Sequence, residues 1–152
     1  MSETQKTISK TGSSFKVWHR ILVFLCLFSG IGAIWGVIMA IIQTVTGAFA
    51  GTETILPTLQ EVPLVGQYLN TLLLPGILLL LFCCIPQMTA GILLLRKQRT
   101  QYRAGAIVGI LMVVFTVGEI ILMPNFLSWI YMFLGIVEIV AGVVCSKQRK
   151  IL

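Results

Sequence analysis

Four stretches of this chain, 21–46, 72–95, 104–123 and 126–145, contain no lysine or arginine and are almost wholly apolar. Each is about as long as the ~20 residues a helix needs to cross a ~30 Å hydrocarbon core. With 57% hydrophobic residues, 11% charged residues and a mean hydropathy of +0.99, the 152-residue chain is too apolar for a water-soluble domain of its length. A bilayer is its solvent.

The charges set the threading. All eleven basic residues fall in three segments, Lys6 to Arg20, Arg96 to Arg103 and Lys147 to Lys150, while the polar stretch from Gly51 to Asn70 holds Glu53 and Glu61 and no cation. Basic flanks are retained on the cytoplasmic side, so both termini and the Arg96–Arg103 link are expected there and 51–70 outside. Pro124-Asn125 leaves room only for a tight outer turn between the third and fourth spans. The expected fold is all-α: four transmembrane helices in an antiparallel bundle over 21–146, with a polar and basic tail at 1–20 and a basic tail at 147–152.

Segregation of the cations also excludes nucleic acid, since no basic residue interrupts an apolar run. Lipid is the expected partner, with anionic headgroups drawn to Arg96, Lys97, Arg99 and Arg103. Met1 to Ser14 reads as a mobile polar tail, too poor in apolar residues to bury anything. His19, the only histidine, reads as an interfacial flank and not a metal ligand. Ala48-Phe49-Ala50 imitates a signal-peptide cleavage site, but the apolar run before it exceeds a signal core of ~7–15 residues, so the span is kept as an anchor. In the outer loop a short amphipathic helix is expected over 59–68, with Asn70 or Thr71 capping the second span. Pro86 is expected to kink that span, with Gln87 and Thr89 as polar groups able to fill the gap or bond across helices. Cys26, Cys83, Cys84 and Cys145 sit within or at the edge of apolar runs and read as buried small hydrophobes.

Small residues mark where helices touch. Gly32 and Gly36, Gly105 and Gly109, and Gly135 and Gly142 stand at spacings that allow close backbone approach. The residues that demand explanation are Glu119 and Glu138, because a carboxylate at the bilayer centre costs about 2.5–3.5 kcal/mol on insertion scales. On ideal helices Tyr131, Gly135, Glu138, Gly142 and Cys145 share one stripe, as do Gly105, Gly109, Met112, Thr116 and Glu119. Both acids therefore face helices. Depth pairs Glu138 with Ser29, Gln87 or Thr89, and Glu119 with Tyr131, Gln43 or Thr44. With no intramembrane cation to neutralise it, Glu138 is expected to stand largely as the neutral acid. It is either a proton- or cation-coupling group or a hydrogen-bonded tie between helices.

Leu74-Pro75-Gly76-Ile77 opening the second span, Ala90-Gly91-Ile92-Leu93-Leu94-Leu95-Arg96-Lys97 closing it, Arg103-Ala104-Gly105-Ala106 opening the third, Gly118-Glu119, and Ser128-Trp129 opening the fourth resemble uncharacterised small bacterial four-helix membrane proteins, broadly the DoxX-like group. The resemblance implies four helices and a bacterial inner membrane, and brings no catalytic residue or cofactor. An enzyme needs a nucleophile with a base, or a metal cluster, and this sequence has no Asp, one His and scattered Cys. The expected function is a non-enzymatic integral membrane protein, structural or accessory to a membrane partner. The alternative is a small proton- or cation-coupled transporter or channel subunit using Glu138, assembled as a homo-oligomer.

Overall fold

The computed structural model describes residues 3–47, 57, 60–61, 66, 70–98, 100–122 and 126–149. Nearly all of these lie in four helices: α1 (Glu3–Thr46), α2 (Leu73–Leu95), α3 (Gln101–Leu122) and α4 (Phe126–Arg149). No strand occurs among the described residues. Ser14–Thr46 within α1, and α2, α3 and α4 entire, are long and apolar enough to cross a membrane. That is the build of a multi-pass membrane protein. The Pro124-Asn125 turn and most of 51–70, including the short helix expected over 59–68, fall outside the described residues.

Three helices run beyond the apolar spans expected of them. The backbone is helical from Glu3, so α1 starts well before the apolar run at Ile21; extending a helix already nucleated by the apolar run is far easier than nucleating one, and no proline interrupts the segment. α3 begins at Gln101, and Gln101 and Tyr102 are buried, so the basic link is shorter than Arg96–Arg103 and Tyr102 belongs to the core. α4 continues to Arg149, placing Lys147 and Arg149 in its last turn, where cations complement the carbonyl end of the helix dipole.

Within α2 the helix widens into a π turn over Leu80–Cys84, and the Ile85 N–H reaches the Leu80 carbonyl. Pro86 explains it. Proline has no N–H for the carbonyl four residues back and its ring collides with that group, and a wider turn relieves both problems. Thr89 makes only an ordinary bond to its own helix, its hydroxyl donating to the Ile85 carbonyl at 2.8 Å and not to the carbonyl four residues before Pro86. α2 is stopped by Lys97, two residues past its end, whose φ of 53° is left-handed; the Gln98 N–H bonds Leu93 O and the Lys97 N–H bonds Leu94 O, both at 3.3 Å. This 6→1 and 5→2 pair is a Schellman ending without its usual glycine. At the opposite end of α2 neither expected cap residue dominates. Buried Gln43 of α1 accepts the Leu72 N–H at 3.1 Å, while Thr71 offers a longer 3.4 Å contact to the Leu73 N–H.

Most large apolar side chains of the bundle lie outside, and its interior is mainly small or polar with a few large residues such as Leu22, Leu94 and Met112. Phe24, Phe28, Trp35, Phe82, Ile121 and Phe133 are exposed, whereas Cys26, Ser29, Ala33, Ala90, Gln87, Ala141 and Glu138 are buried. Lipid tails are as apolar as leucine, so helices gain most by close backbone packing and not by hiding large side chains. The expected packing glycines all lie at contacts within this chain. A Cβ on Gly109 would come within 2.9 Å of the Gly135 carbonyl, and one on Gly142 within 2.9 Å of the Tyr102 carbonyl. A Cβ on Gly105 would strike Leu22, on Gly36 Leu79, on Gly32 the Tyr131 hydroxyl, and on Gly135 Val113.

Backbone neighbours cannot swing aside, but a methyl group can. Gly109→Ala and Gly142→Ala are therefore expected to destabilise the bundle by about 1–3 kcal/mol, and Gly36→Ala by less. Gly118, which faces open space, should tolerate alanine or gain up to about 1 kcal/mol from better helix propensity. Detergent unfolding followed by far-UV circular dichroism ranks the four variants; equal losses would contradict this packing.

Candidate functional site: a buried carboxyl joined to three helices

The close approach of α3 and α4 positions the site. At Gly109 the missing side chain lets α4 come so near that an added Cβ would lie 3.0 Å from Glu138 Cβ. The Glu138 carboxyl then has only α1 and α2 to reach, and it is completely buried. Gln87 Nε2 of α2 donates to Glu138 Oε2 at 2.7 Å, and Ser29 Oγ of α1 donates to Oε1 at 3.5 Å. The second Nε2 hydrogen of Gln87 points to Met112 Sδ on α3 at 3.2 Å. All four helices thus meet at one polar point.

Of the partners expected at this depth, Ser29 and Gln87 are brought to Glu138, whereas Thr89 is exposed and bonds its own helix. Gln87 Oε1 is buried and has no hydrogen-bond partner. Such an unmet acceptor costs about 1–3 kcal/mol and asks for a donor.

Glu119 is placed apart. It is half-buried and accepts a hydrogen bond at 3.0 Å from Ser128 Oγ of α4, a partner the depth estimate overlooked. The signal was available, because Ser128 opens the same α4 stripe that carries Tyr131 and Glu138. Of the partners that were expected, Gln43 caps α2, Thr44 Oγ1 donates to the Ala40 carbonyl at 2.7 Å, and the Tyr131 hydroxyl lies over Gly32. The two carboxyls accordingly take separate donors and do not share a proton.

At the Tyr102 end of the bundle His19 is held by two aromatic neighbours. Its Nδ1 lies 3.3 Å from the Tyr102 hydroxyl, and Phe15 stacks with its ring. The Arg149 guanidinium stands 5.9 Å from the centre of the Tyr102 ring and donates to the Gln98 carbonyl. Gln148 Nε2 donates to Ser14 Oγ at 3.4 Å, so α1, α3 and α4 are fastened together there. Arg96, Lys97 and Arg103 are exposed at this end, and Arg99 falls outside the described residues. The four cysteines are free and buried, and no group of His, Cys, Asp and Glu suited to a metal exists among the described residues.

Replacing Glu138 separates its hydrogen bonding from its charge. Glu138→Gln keeps an oxygen for Gln87 and a polar group for Ser29, and its stability is expected to stay within about 1 kcal/mol of the parent. Glu138→Ala strands the Gln87 amide beside a void and should cost about 2–5 kcal/mol. Thermal unfolding in detergent compares the two, and a glutamine variant as unstable as the alanine variant would require an ionised, charge-paired Glu138.

Comparison with protein-family models, curated proteins and solved structures yields no match to this chain.

Proposed function

We propose that this chain is a non-enzymatic integral membrane protein, structural or accessory to a membrane partner, threaded through a bacterial inner membrane as an antiparallel bundle with both termini cytoplasmic. The observation that carries this reading is the use made of Glu138. The deepest acid in the sequence is spent on a fully buried tie that accepts from Gln87 and Ser29, with the packing glycines closing the bundle around it. A group so enclosed serves cohesion first, since a carboxyl without protein donors would be strongly disfavoured in hydrocarbon. The kinship with DoxX-like proteins and the attraction of anionic lipid to Arg96, Lys97, Arg99 and Arg103 belong to the same proposal.

The threading is supported by the one-sided basic residues, with Lys16, Arg20, Arg103 and Lys147 on the helix ends that meet around Tyr102. A second reading, a proton- or cation-coupled transporter subunit, is favoured by the unpartnered Gln87 Oε1 beside the acid. It loses ground as a glycine-built oligomer, because the expected packing glycines are occupied within the chain.

Two measurements test this function. Reporters fused after Lys150 and inserted near Gln98 should read as cytoplasmic, and one near Thr58 as external; an external carboxyl terminus overturns the threading. Cross-linking in native membranes should recover a stoichiometric membrane protein, with no solute or proton flux from the purified chain in liposomes. Flux lost in a folded Glu138→Gln variant would instead establish the transporter reading.

A further inference from the structure

We infer that Lys97 and Arg149 form a binding site for the phosphate of an anionic lipid, set against the Tyr102–His19 pair at the end of the bundle. This rests on the attraction of anionic lipid proposed above and narrows it from a basic link to one place. Two cations from different elements converge there. Arg149, in the last turn of α4, holds its guanidinium 5.9 Å from the centre of the Tyr102 ring and donates to the Gln98 carbonyl at 3.3 Å. Lys97 immediately precedes Gln98, and its ammonium lies close enough to the His19 ring to act on it through its charge. The Tyr102 hydroxyl and His19 Nδ1 stand 3.3 Å apart, so both cations address one aromatic pair.

The backbone at Lys97 points the same way. At a φ of 53° a side chain crowds its own carbonyl, which is why glycine usually occupies this point of a helix ending. The N–H groups of Lys97 and Gln98 close α2 onto the carbonyls of Leu94 and Leu93, bonds that glycine would make equally well. The lysine side chain therefore adds nothing to the turn. What it adds is a charge beside His19.

No acidic side chain offsets that charge. Glu119 and Glu138 are engaged by Ser128 and Gln87 within the spans, and Glu61 lies in the stretch between α1 and α2, so none of these described acids reaches the Tyr102 end. Lys16, Arg20, Arg103 and Lys147, all exposed, stand on the same helix ends. Like charges gathered in this way repel one another, and an anion from outside relieves the repulsion.

The level of the site selects lipid as the source of that anion. Phe15 and Trp18 pack on the apolar cluster beneath it, and aromatic side chains at the end of a span mark the depth of the headgroups. Arg149 lies four residues, about one turn, beyond Cys145, the last fully buried residue of α4. A guanidinium offers a planar fork to two phosphate oxygens, and an ammonium supplies a point charge for another. The tails of a lipid held at this depth remain in the bilayer.

The test uses the full chain in phosphatidylcholine nanodiscs titrated with phosphatidylglycerol to about 40 mol%, equally in both leaflets. Lipid retained on the released protein is counted by native mass spectrometry. The parent is expected to keep one phosphatidylglycerol in preference to phosphatidylcholine. Lys97→Gly and Arg149→Gln should each raise the phosphatidylglycerol fraction at half-occupancy roughly fivefold, the order that one cation contributes at a headgroup. Lys97→Arg, which keeps the charge, and Arg96→Gln and Arg103→Gln, which each remove one charge elsewhere on this end, should stay within about twofold. In phosphatidylcholine alone Lys97→Gly is expected to unfold at or above the temperature of the parent, because glycine removes the crowding at that φ; a lower temperature would give the lysine side chain a structural role and overturn the assignment. Equal losses in all four single-charge variants would overturn the site and leave only the diffuse attraction, whereas no preference for phosphatidylglycerol in the parent would overturn both. Displacement of the retained lipid by millimolar inorganic phosphate would overturn lipid as the occupant and assign the site to a soluble anion.

Discussion

A carboxyl inside a bundle solvated by lipid has no water to fall back on, and this fold is arranged so that protein groups replace it. The replacement depends on α3 and α4 approaching until Gly109 and Gly135 touch through backbone, which leaves Glu138 directed at α1 and α2. Gln87 answers from α2, next to Pro86 and just beyond the π turn. Ser29 answers from α1 on the same face as Cys26 and Ala33. Glycine contact and hydrogen-bonded acid are thus one connected constraint.

Much of this was legible in the sequence, because a bilayer simplifies the code. Length and hydropathy identify the four helices, and helical spacing puts Glu138, Gly135 and Gly142 on the buried stripe they occupy. Depth along the membrane brought Ser29 and Gln87 to Glu138 as candidates, since polar side chains in hydrocarbon have few partners to choose among. What failed were features set by local backbone and tertiary contact. Pro86 announced a disturbance without saying that it would be a π turn, Gln43, one of three partners expected for Glu119, caps α2 instead, and Thr71 proved a minor cap. Tyr102 read as part of a wet basic link, although its ring is buried against His19 and Phe15. Helix continuation back to Glu3 was missed because composition reports solubility better than it reports backbone propagation.

The Tyr102 end shows how charge is accommodated once the apolar spans stop. Arg149 is not simply a topological marker, for it spreads over an aromatic ring and bonds the carbonyl of Gln98 in the link between α2 and α3. Cation–aromatic contacts of this kind contribute about 0.5–1 kcal/mol at exposed sites. The two fastenings differ in chemistry: one is amphipathic and partly wet around Tyr102, the other dry and polar around Glu138.

Turning the large side chains outward has a consequence for how this sequence can change over generations. Phe24, Phe28, Trp35, Ile121 and Phe133 meet only an apolar environment in which leucine, isoleucine or phenylalanine serve alike, so these positions are free to drift. Gly109, Gly142, Ser29, Gln87 and Glu138 have no such freedom, because each is measured against a backbone or a hydrogen-bond partner. The heritable specification of the fold is concentrated in a few small and polar letters, while most of the apolar text can be rewritten without altering its meaning.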